Sequence, residues 1–307
     1  MKAGVKMKII RFKTIDKGCR LGFVKDDSVW DLTSVDKRVF SSFLSALKEA
    51  HVQNINLDEL IREAVQGCTP ETYALKELDH PRTPLKPHIV VPYPPPEVWG
   101  CGVTYARSVK AREVETSLKG AYDRVYEAER PEVFFKATRT RCVGPYEAIC
   151  VRGDSKSTVP EAELAFILGY DREIVAYTVG NDVTARDIEG VNPLYLPQAK
   201  IYSGCCAVGP AVVTCADLKE PRNLKVECRI HREGGVVFQG ATSTAQLRRS
   251  LEELRGFLCR DNPVPAGTVC LTGTGIVPPD EFTLCEGDVV EIGIEGIGTL
   301  RNPVKRL

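Results

Sequence analysis

The chain has 307 residues, 41 basic against 41 acidic side chains, 43% hydrophobic residues and 27% charged ones, which excludes a disordered tail or a collagen-like fibre. The length is ample for a large buried core, and a formal charge of zero gives no electrostatic pull toward nucleic acid or an anionic membrane. No run approaches the roughly 18 apolar residues of a membrane span, and residues 1–12 lack a signal-peptide core, which points to a cytoplasmic protein.

Residues 7–32 read as a strand, a second strand over 20–24, a turn at Asp26-Asp27-Ser28 and a returning strand. Val39, Phe40, Phe43, Leu44 and Leu47 recur at helical spacing, and Asn56 with Glu59 three residues on predicts a capped helix over 57–65. Together these make a small α/β module, residues 1–80. Seven prolines fall between His80 and Glu97, a composition that favours extended backbone poor in donors. Residues 81–96 are therefore read as a linker, and 97–307 as the catalytic domain.

That second part is punctuated by strand-like runs at 133–136, 161–168, 174–179, 211–214, 224–230, 268–272 and 289–294. The fold class expected is α+β and β-rich. Two helical segments interrupt it: a highly charged one at 109–129, and an amphipathic one at 244–260 with Leu247, Leu251, Leu254 and Leu258 on one face. Twelve cysteines contain no CxxC pair and the four histidines are scattered, so a zinc site is not indicated. Cys150, Cys228 and Cys270 sit in strand-like runs and read as buried thiols. The vicinal Cys205 and Cys206 read as two reduced thiols, since bonding them would be strained.

The chemistry concentrates from residue 159 onward. Alternation puts Leu164, Phe166 and Leu168 on one strand face and Glu161 with Glu163 on the other. Two carboxylates at i and i+2, flanked by Ala165 and Ile167, require either open water or a cation between them. Oxygen-only donors select a hard divalent ion, Mg2+ first, with Mn2+ or Ca2+ also compatible. The next strand delivers a third carboxylate, Asp182, at its end. Arg186, Asp187 and Glu189 follow, then Leu194, Tyr195 and Leu196 ahead of Lys200; the apolar residues pull this polar stretch against the body.

These residues resemble the fumarylacetoacetate hydrolase family. In that family a Glu-x-Glu strand and the Asp of an Asn-Asp-x-x-x-Arg-Asp segment hold a magnesium-type ion, with a downstream Lys beside it. The matching positions are Glu161, Glu163, Asp182, Arg186 and Lys200. The likeness spans about residues 96–304, including Trp99-Gly100-Cys101-Gly102-Val103-Thr104-Tyr105, Gly209-Pro210 and Thr272-Gly273-Thr274-Gly275. It implies mixed, rolled β-sheets around the metal and a homo-oligomer, a dimer or dimer of dimers. It also marks Gly273 and Thr274 as a carboxylate-binding turn and Tyr105 as a substrate contact.

One departure matters. The C–C bond hydrolases of the family carry a His after the Gly-x-x-Tyr turn, where this chain has Ser108. A serine hydroxyl cannot replace imidazole as general base near neutrality. The branch of 2-keto-3-deoxy-D-arabinonate dehydratases is similar in lacking that His, and in the blocks Phe134-Phe135-Lys136-Ala137-Thr138, Asn192-Pro193-Leu194-Tyr195-Leu196-Pro197-Gln198 and Arg260-Asp261-Asn262-Pro263. The resemblance implies dehydration of a 2-keto-3-deoxy sugar acid to a 2,5-dioxo acid, by β-elimination through a metal-stabilised enolate.

Proton transfers are expected from Lys200 and Glu132. Arg186 would orient the substrate or pair with a carboxylate, and Glu189 would hold Lys200 or a ligand water. Glu132, Phe134 and Lys136 alternate onto one strand face, so Lys136 is expected to contact substrate; two charges on an exposed edge strand are the plain alternative. The runner-up activities are C–C hydrolysis or decarboxylation of an acylpyruvate or β-keto acid. A non-catalytic ligand-binding protein is the reading from a different class.

Overall fold

A computed structural model describes residues 7–106 and 125–307 of the chain. Ser108 and all but the end of the charged helix expected at 109–129 lie outside these residues. The strands, in chain order, are β1 (Lys8–Thr14), β2 (Gly18–Lys25), β3 (Ser28–Asp31), β4 (Thr72–Ala74), β5 (His88–Val90), β6 (Glu97–Gly102), β7 (Glu132–Thr138), β8 (Cys142–Val143), β9 (Ile149–Val151) and β10 (Thr158–Val159). They continue as β11 (Ala162–Leu168), β12 (Ile174–Asp182), β13 (Thr184–Ala185), β14 (Cys206–Thr214), β15 (Lys225–Arg232), β16 (Gly235–Ser243), β17 (Val269–Leu271), β18 (Val289–Ile294) and β19 (Gly298–Arg306). The α-helices are α1 (Leu32–Val35), α2 (Phe43–Gln53), α3 (Leu57–Val65), α4 (Arg186–Val191), α5 (Leu196–Lys200) and α6 (Leu251–Cys259).

One large mixed sheet has the order β4-β3-β2-β1-β14-β12-β11-β17-β6-β7, with β5 beside β1 and β8 beside β14; a smaller sheet has the order β16-β15-β18-β19-β9. Strand β11 is buried along its whole length because each face of the large sheet is covered. Leu164, Phe166 and Leu168 pack with Val226, Ile230, Ile292 and Leu300 of the smaller sheet. Ala165 and Ile167 point the other way, into a core shared with Phe43 and Leu47 of α2 and Leu60 and Ile61 of α3. The α+β, β-rich class with mixed sheets is as expected, and the faces of β11 divide as alternation predicts.

The N-terminal elements follow the sequence reading closely. Asn56 caps α3 by accepting from the Glu59 N–H at 2.8 Å, and α2 begins at Ser42, whose side chain accepts from the Ser45 N–H. The boundary at 81–96 looks different in space. Strand β1 hydrogen-bonds to β14 with Lys8 opposite Val213, so the large sheet runs through the expected division. Within 81–96, β5 pairs with β1 and buried Tyr93 stacks on Phe43 with ring centroids 4.7 Å apart. Proline removes donors but leaves carbonyls and side chains free to pack, so a proline-rich stretch here serves as a seam rather than a tether.

Two further differences have local causes. The helix expected over 244–260 begins only at Leu251, because the Ser250 hydroxyl accepts from the Glu253 N–H at 3.1 Å and caps it there; Leu247 is still buried with Leu251, Leu254 and Leu258. The strand expected over 211–214 begins earlier, as β14, and carries Gly209-Pro210 inside it. Its partner β12 absorbs the irregularity with a register shift between Tyr177 and Val179. No described helix is long and apolar enough to cross a membrane.

Candidate active site

The site forms where β11 begins and β12 ends. These strands are antiparallel, with Glu163 opposite Gly180, and the Asp182 N–H donates to the Glu161 carbonyl at 3.0 Å. Antiparallel pairing sends directly opposed residues to one face, so Glu161, Glu163 and Asp182 converge. Each offers a carboxylate oxygen within 4.8 Å of the others. Asp182 and Glu163 are almost fully buried, whereas the Glu161 side chain keeps 15% of its surface exposed.

Electrostatics make this arrangement costly by itself. Burial, reinforced by the charges of Asp182 and Glu161, pushes the Glu163 carboxyl well above the usual carboxylate range, and the Gly273 N–H and Lys200 oppose it only in part. With all three ionised, the carboxylates outnumber the ammonium groups of Lys136 and Lys200 that face them, which leaves an excess of negative charge. Oxygen-only donors with that excess fit a hard divalent cation such as magnesium.

Lys200 ends the short helix α5 and reaches back into this cluster. Its Nζ lies 3.1 Å from Glu161 Oε2, 2.9 Å from Asp182 Oδ2 and 2.7 Å from Thr184 Oγ1, and 5.2 Å from the centre of the Phe134 ring. Proline at the start of α5 suits a first helical turn, where no amide donor is needed. Glu161, Lys200, Arg186, Glu189, Gly273 and Thr274 all line one cleft.

The remaining expected residues separate into those at the cleft and those behind it. Glu132 rests over Gly102, a cleft residue; a methyl group on Gly102 would meet Glu132 Oε2 at 1.8 Å. Arg186 donates to the Pro278 and Pro279 carbonyls at 3.2 Å, pinning the loop that forms a cleft wall. Tyr105 is buried in the core against Gly275. Its phenol is raised by burial first and then by the Glu163 charge.

Lys136 requires a correction. It is 0% exposed, and its Nζ contacts Asp182 Oδ1 at 2.5 Å, the Val183 carbonyl at 2.9 Å and the Lys200 carbonyl at 2.6 Å. It therefore sits behind the ligand carboxylate instead of touching substrate. Burial acts to lower its pKa, but the Asp182 charge overrides that and raises it, so the ammonium stays protonated.

Gly273 brings the turn after β17 onto the site. Its N–H donates to Glu163 Oε2 at 2.6 Å. Its φ is +92°, and a Cβ there would lie 1.9 Å from Thr104 Oγ1 and 3.0 Å from the Cys101 carbonyl. Gly273→Ala is expected to cost about 1–3 kcal/mol of stability from the strained backbone and to weaken ion binding by displacing the donor that aims Glu163. Chemical denaturation and magnesium titration of that variant check both effects.

Two contributors went unnoticed in the sequence. Thr184, two residues beyond Asp182, accepts from Lys200, and the Pro278 and Pro279 carbonyls anchor Arg186. The i+2 spacing from Asp182 was an available signal for Thr184. Nothing local marked the prolines, since their contribution is backbone oxygen.

With this geometry the comparisons with known proteins are specific. The profile described as "Fumarylacetoacetate (FAA) hydrolase C-terminal" matches residues 97–305. The chain is 46% identical over 285 residues to the "Probable 2-keto-3-deoxyxylonate dehydratase" of Haloferax volcanii, covering 93% of this chain and 95% of that protein. It is 51% identical over 222 residues to the "2-dehydro-3-deoxy-D-arabinonate dehydratase" of Saccharolobus solfataricus, covering 71% and 74%. The solved structure "2-keto-3-deoxy-D-arabinonate dehydratase complexed with magnesium and 2,5-dioxopentanoate" superposes with a TM-score of 0.80 at 38% identity, over 98% of this chain and 99% of that one. A match over so much of the chain, with the carboxylate set and its lysine assembled, places the protein in the fumarylacetoacetate hydrolase family.

Proposed function

We propose that this chain is a magnesium-dependent hydro-lyase that removes water from a 2-keto-3-deoxy sugar acid of the arabinonate or xylonate type and yields a 2,5-dioxo acid. The observation that carries the reading is the direct contact of Lys200 Nζ with both Glu161 and Asp182, which sets a proton carrier against the ion-holding carboxylates. The two dehydratase relatives support the substrate class, and the dehydratase complex supports magnesium and the product.

Glu161, Glu163 and Asp182 would hold the ion. It would supply Lewis acidity toward the carboxylate and C2 carbonyl of a 2-keto acid. With those carboxylates engaged, Lys200 loses counter-charge, which favours release of its proton and lets Nζ take a hydrogen from C3. Glu132, over Gly102 at the cleft, would return a proton to the departing C4 hydroxyl; Glu189 is the second acid within the cleft. Loss of the C3 hydrogen and C4 hydroxyl leaves a C3–C4 double bond. A proton then moves from C5 to C3, and the resulting enol becomes the C5 aldehyde on protonation at C4. Gly273 and Thr274 support the substrate end of the cleft.

The test is a panel of 2-keto-3-deoxy pentonates and hexonates assayed with magnesium, beside acylpyruvates. Dehydration of a pentonate is expected, with deuterium at C3 and C4 when the solvent is D2O. Dominant acylpyruvate cleavage would overturn the reading. We further propose a cytoplasmic protein and a homo-oligomer; Leu194 and Tyr195, expected to press against the body, are instead exposed with Val191 in one short segment, which supports a covered face in an oligomer, and light scattering in solution checks the mass.

A further inference from the structure

Resting on the site reading above, we infer that Lys136 is a positioning residue that couples the ion-holding carboxylate of Asp182 to the proton-transferring Lys200. Lys136 comes from β7, an edge strand of the large sheet, yet its side chain is 0% exposed. Its ammonium joins three points that the chemistry needs in register. It holds Asp182 Oδ1 at 2.5 Å, while Lys200 holds Oδ2 of the same carboxylate at 2.9 Å. It also donates to the carbonyl of Val183, the residue after Asp182, at 2.9 Å, and to that of Lys200, at the end of α5, at 2.6 Å.

An ammonium has three donors and no acceptor; two hydrogen bonds go to the Val183 and Lys200 carbonyls, and the ion pair with Asp182 Oδ1 is the third contact. Each contact restrains something different. The Asp182 contact fixes the rotation of the carboxylate, so that Oδ2 stays toward the cleft. The Lys200 carbonyl contact fixes where α5 stops, and with it the root of the catalytic side chain. A residue that served only to fill the core would not need a charge, and burying an unpaired charge is strongly unfavourable. Lys136 touches no cleft space, so its influence passes through Asp182 and Lys200.

Lys136→Met keeps the length and removes the charge. The expected result is a fall in kcat of roughly a hundredfold, the low end of what misplacing a proton-transfer group costs. KM for the keto acid should stay within about threefold, because ground-state binding is left alone. Saturating magnesium should fail to restore kcat. If it restores wild-type kcat, Lys136 only holds the ion site together and the coupling to Lys200 is refuted; unchanged turnover refutes the role altogether.

Should Lys136→Met fold poorly, Asp182→Asn in the same chain supplies a readout on the metal-free protein. Removing both members of the pair returns the rest of the cluster to the charge excess it had before, whereas Lys136→Met alone adds to it, so the double variant should unfold at a higher denaturant midpoint than Lys136→Met. A double variant no more stable than the single would refute the pairing. Both measurements proceed without turnover, so failure of the dehydratase reading, which shows as an inactive wild type, stays distinguishable.

Discussion

Glu163→Gln is expected to abolish measurable magnesium binding and turnover while leaving the metal-free protein folded. The carboxylate accepts the Gly273 N–H through Oε2 and has its other oxygen for an ion. A glutamine amide has one acceptor oxygen and one donor group. If its oxygen meets the Gly273 N–H, its NH2 faces the cation; if its oxygen faces the cation, two donors confront each other at Gly273. Either way a ligand charge is gone, and the loss should exceed the roughly 10–100-fold that altering an outer partner of a ligand costs. The metal-free variant should be no less stable than the metal-free wild type, since the substitution removes an ionisable group that burial first, and then the Asp182 and Glu161 charges, disfavour as a carboxylate. Magnesium at about 100 times its dissociation constant should stabilise the wild type by about 2.7 kcal/mol and leave the variant's melting temperature unmoved. Calorimetric titration and thermal melts with and without chelator read both. A variant that binds magnesium normally would remove Glu163 from the ion site.

How far the sequence reaches is visible residue by residue. Glu161 and Glu163 were legible because a period of two puts them on one face and their apolar neighbours forbid an ordinary wet strand. Asp182 was legible as the carboxylate that ends the next strand, and the family likeness marked it as a partner of the two glutamates. Lys200 was legible only through the family likeness, since no periodicity connects a residue on a five-residue helix to a strand end. Lys136 was placed on the right strand face but given the wrong surroundings. β7 is indeed an edge strand, yet the backbone at Val183 and Lys200 folds over it, and no local pattern announces a cover made of carbonyl oxygens. The proline-rich boundary misled for a similar reason. Composition describes the backbone of 81–96 correctly as extended, but pairing of β1 with β14 joins residues about 200 positions apart, Lys8 with Val213, and such long-range contacts leave no trace in a window of neighbours. The longer strands of the large sheet could therefore be foreseen, but not its order, and not β4, β5, β6 or β8.

Lys200→Ala should separate ion binding from chemistry, with the opposite sign on the metal from Glu163→Gln. Lys200 Nζ occupies Glu161 Oε2 and Asp182 Oδ2, so in the metal-free protein it competes with a cation for the same oxygens. Removing it leaves the three carboxylates opposed by Lys136 alone, and the excess negative charge should hold magnesium at least as tightly as before. Turnover should nevertheless fall by about 10²–10⁴, the usual contribution of a positioned acid or base, because no other ammonium reaches the cleft from the described residues. Exchange of the substrate's C3 hydrogens with D2O should fall in step with dehydration if Lys200 removes that proton. If exchange persists at the wild-type rate while product formation stops, Lys200 acts after C3 is deprotonated, and the base must be sought among Glu132 and Glu189. Retention of full turnover would leave the direct contacts of Lys200 with Glu161 and Asp182 without a catalytic purpose, and the elimination mechanism built on them would have to be abandoned.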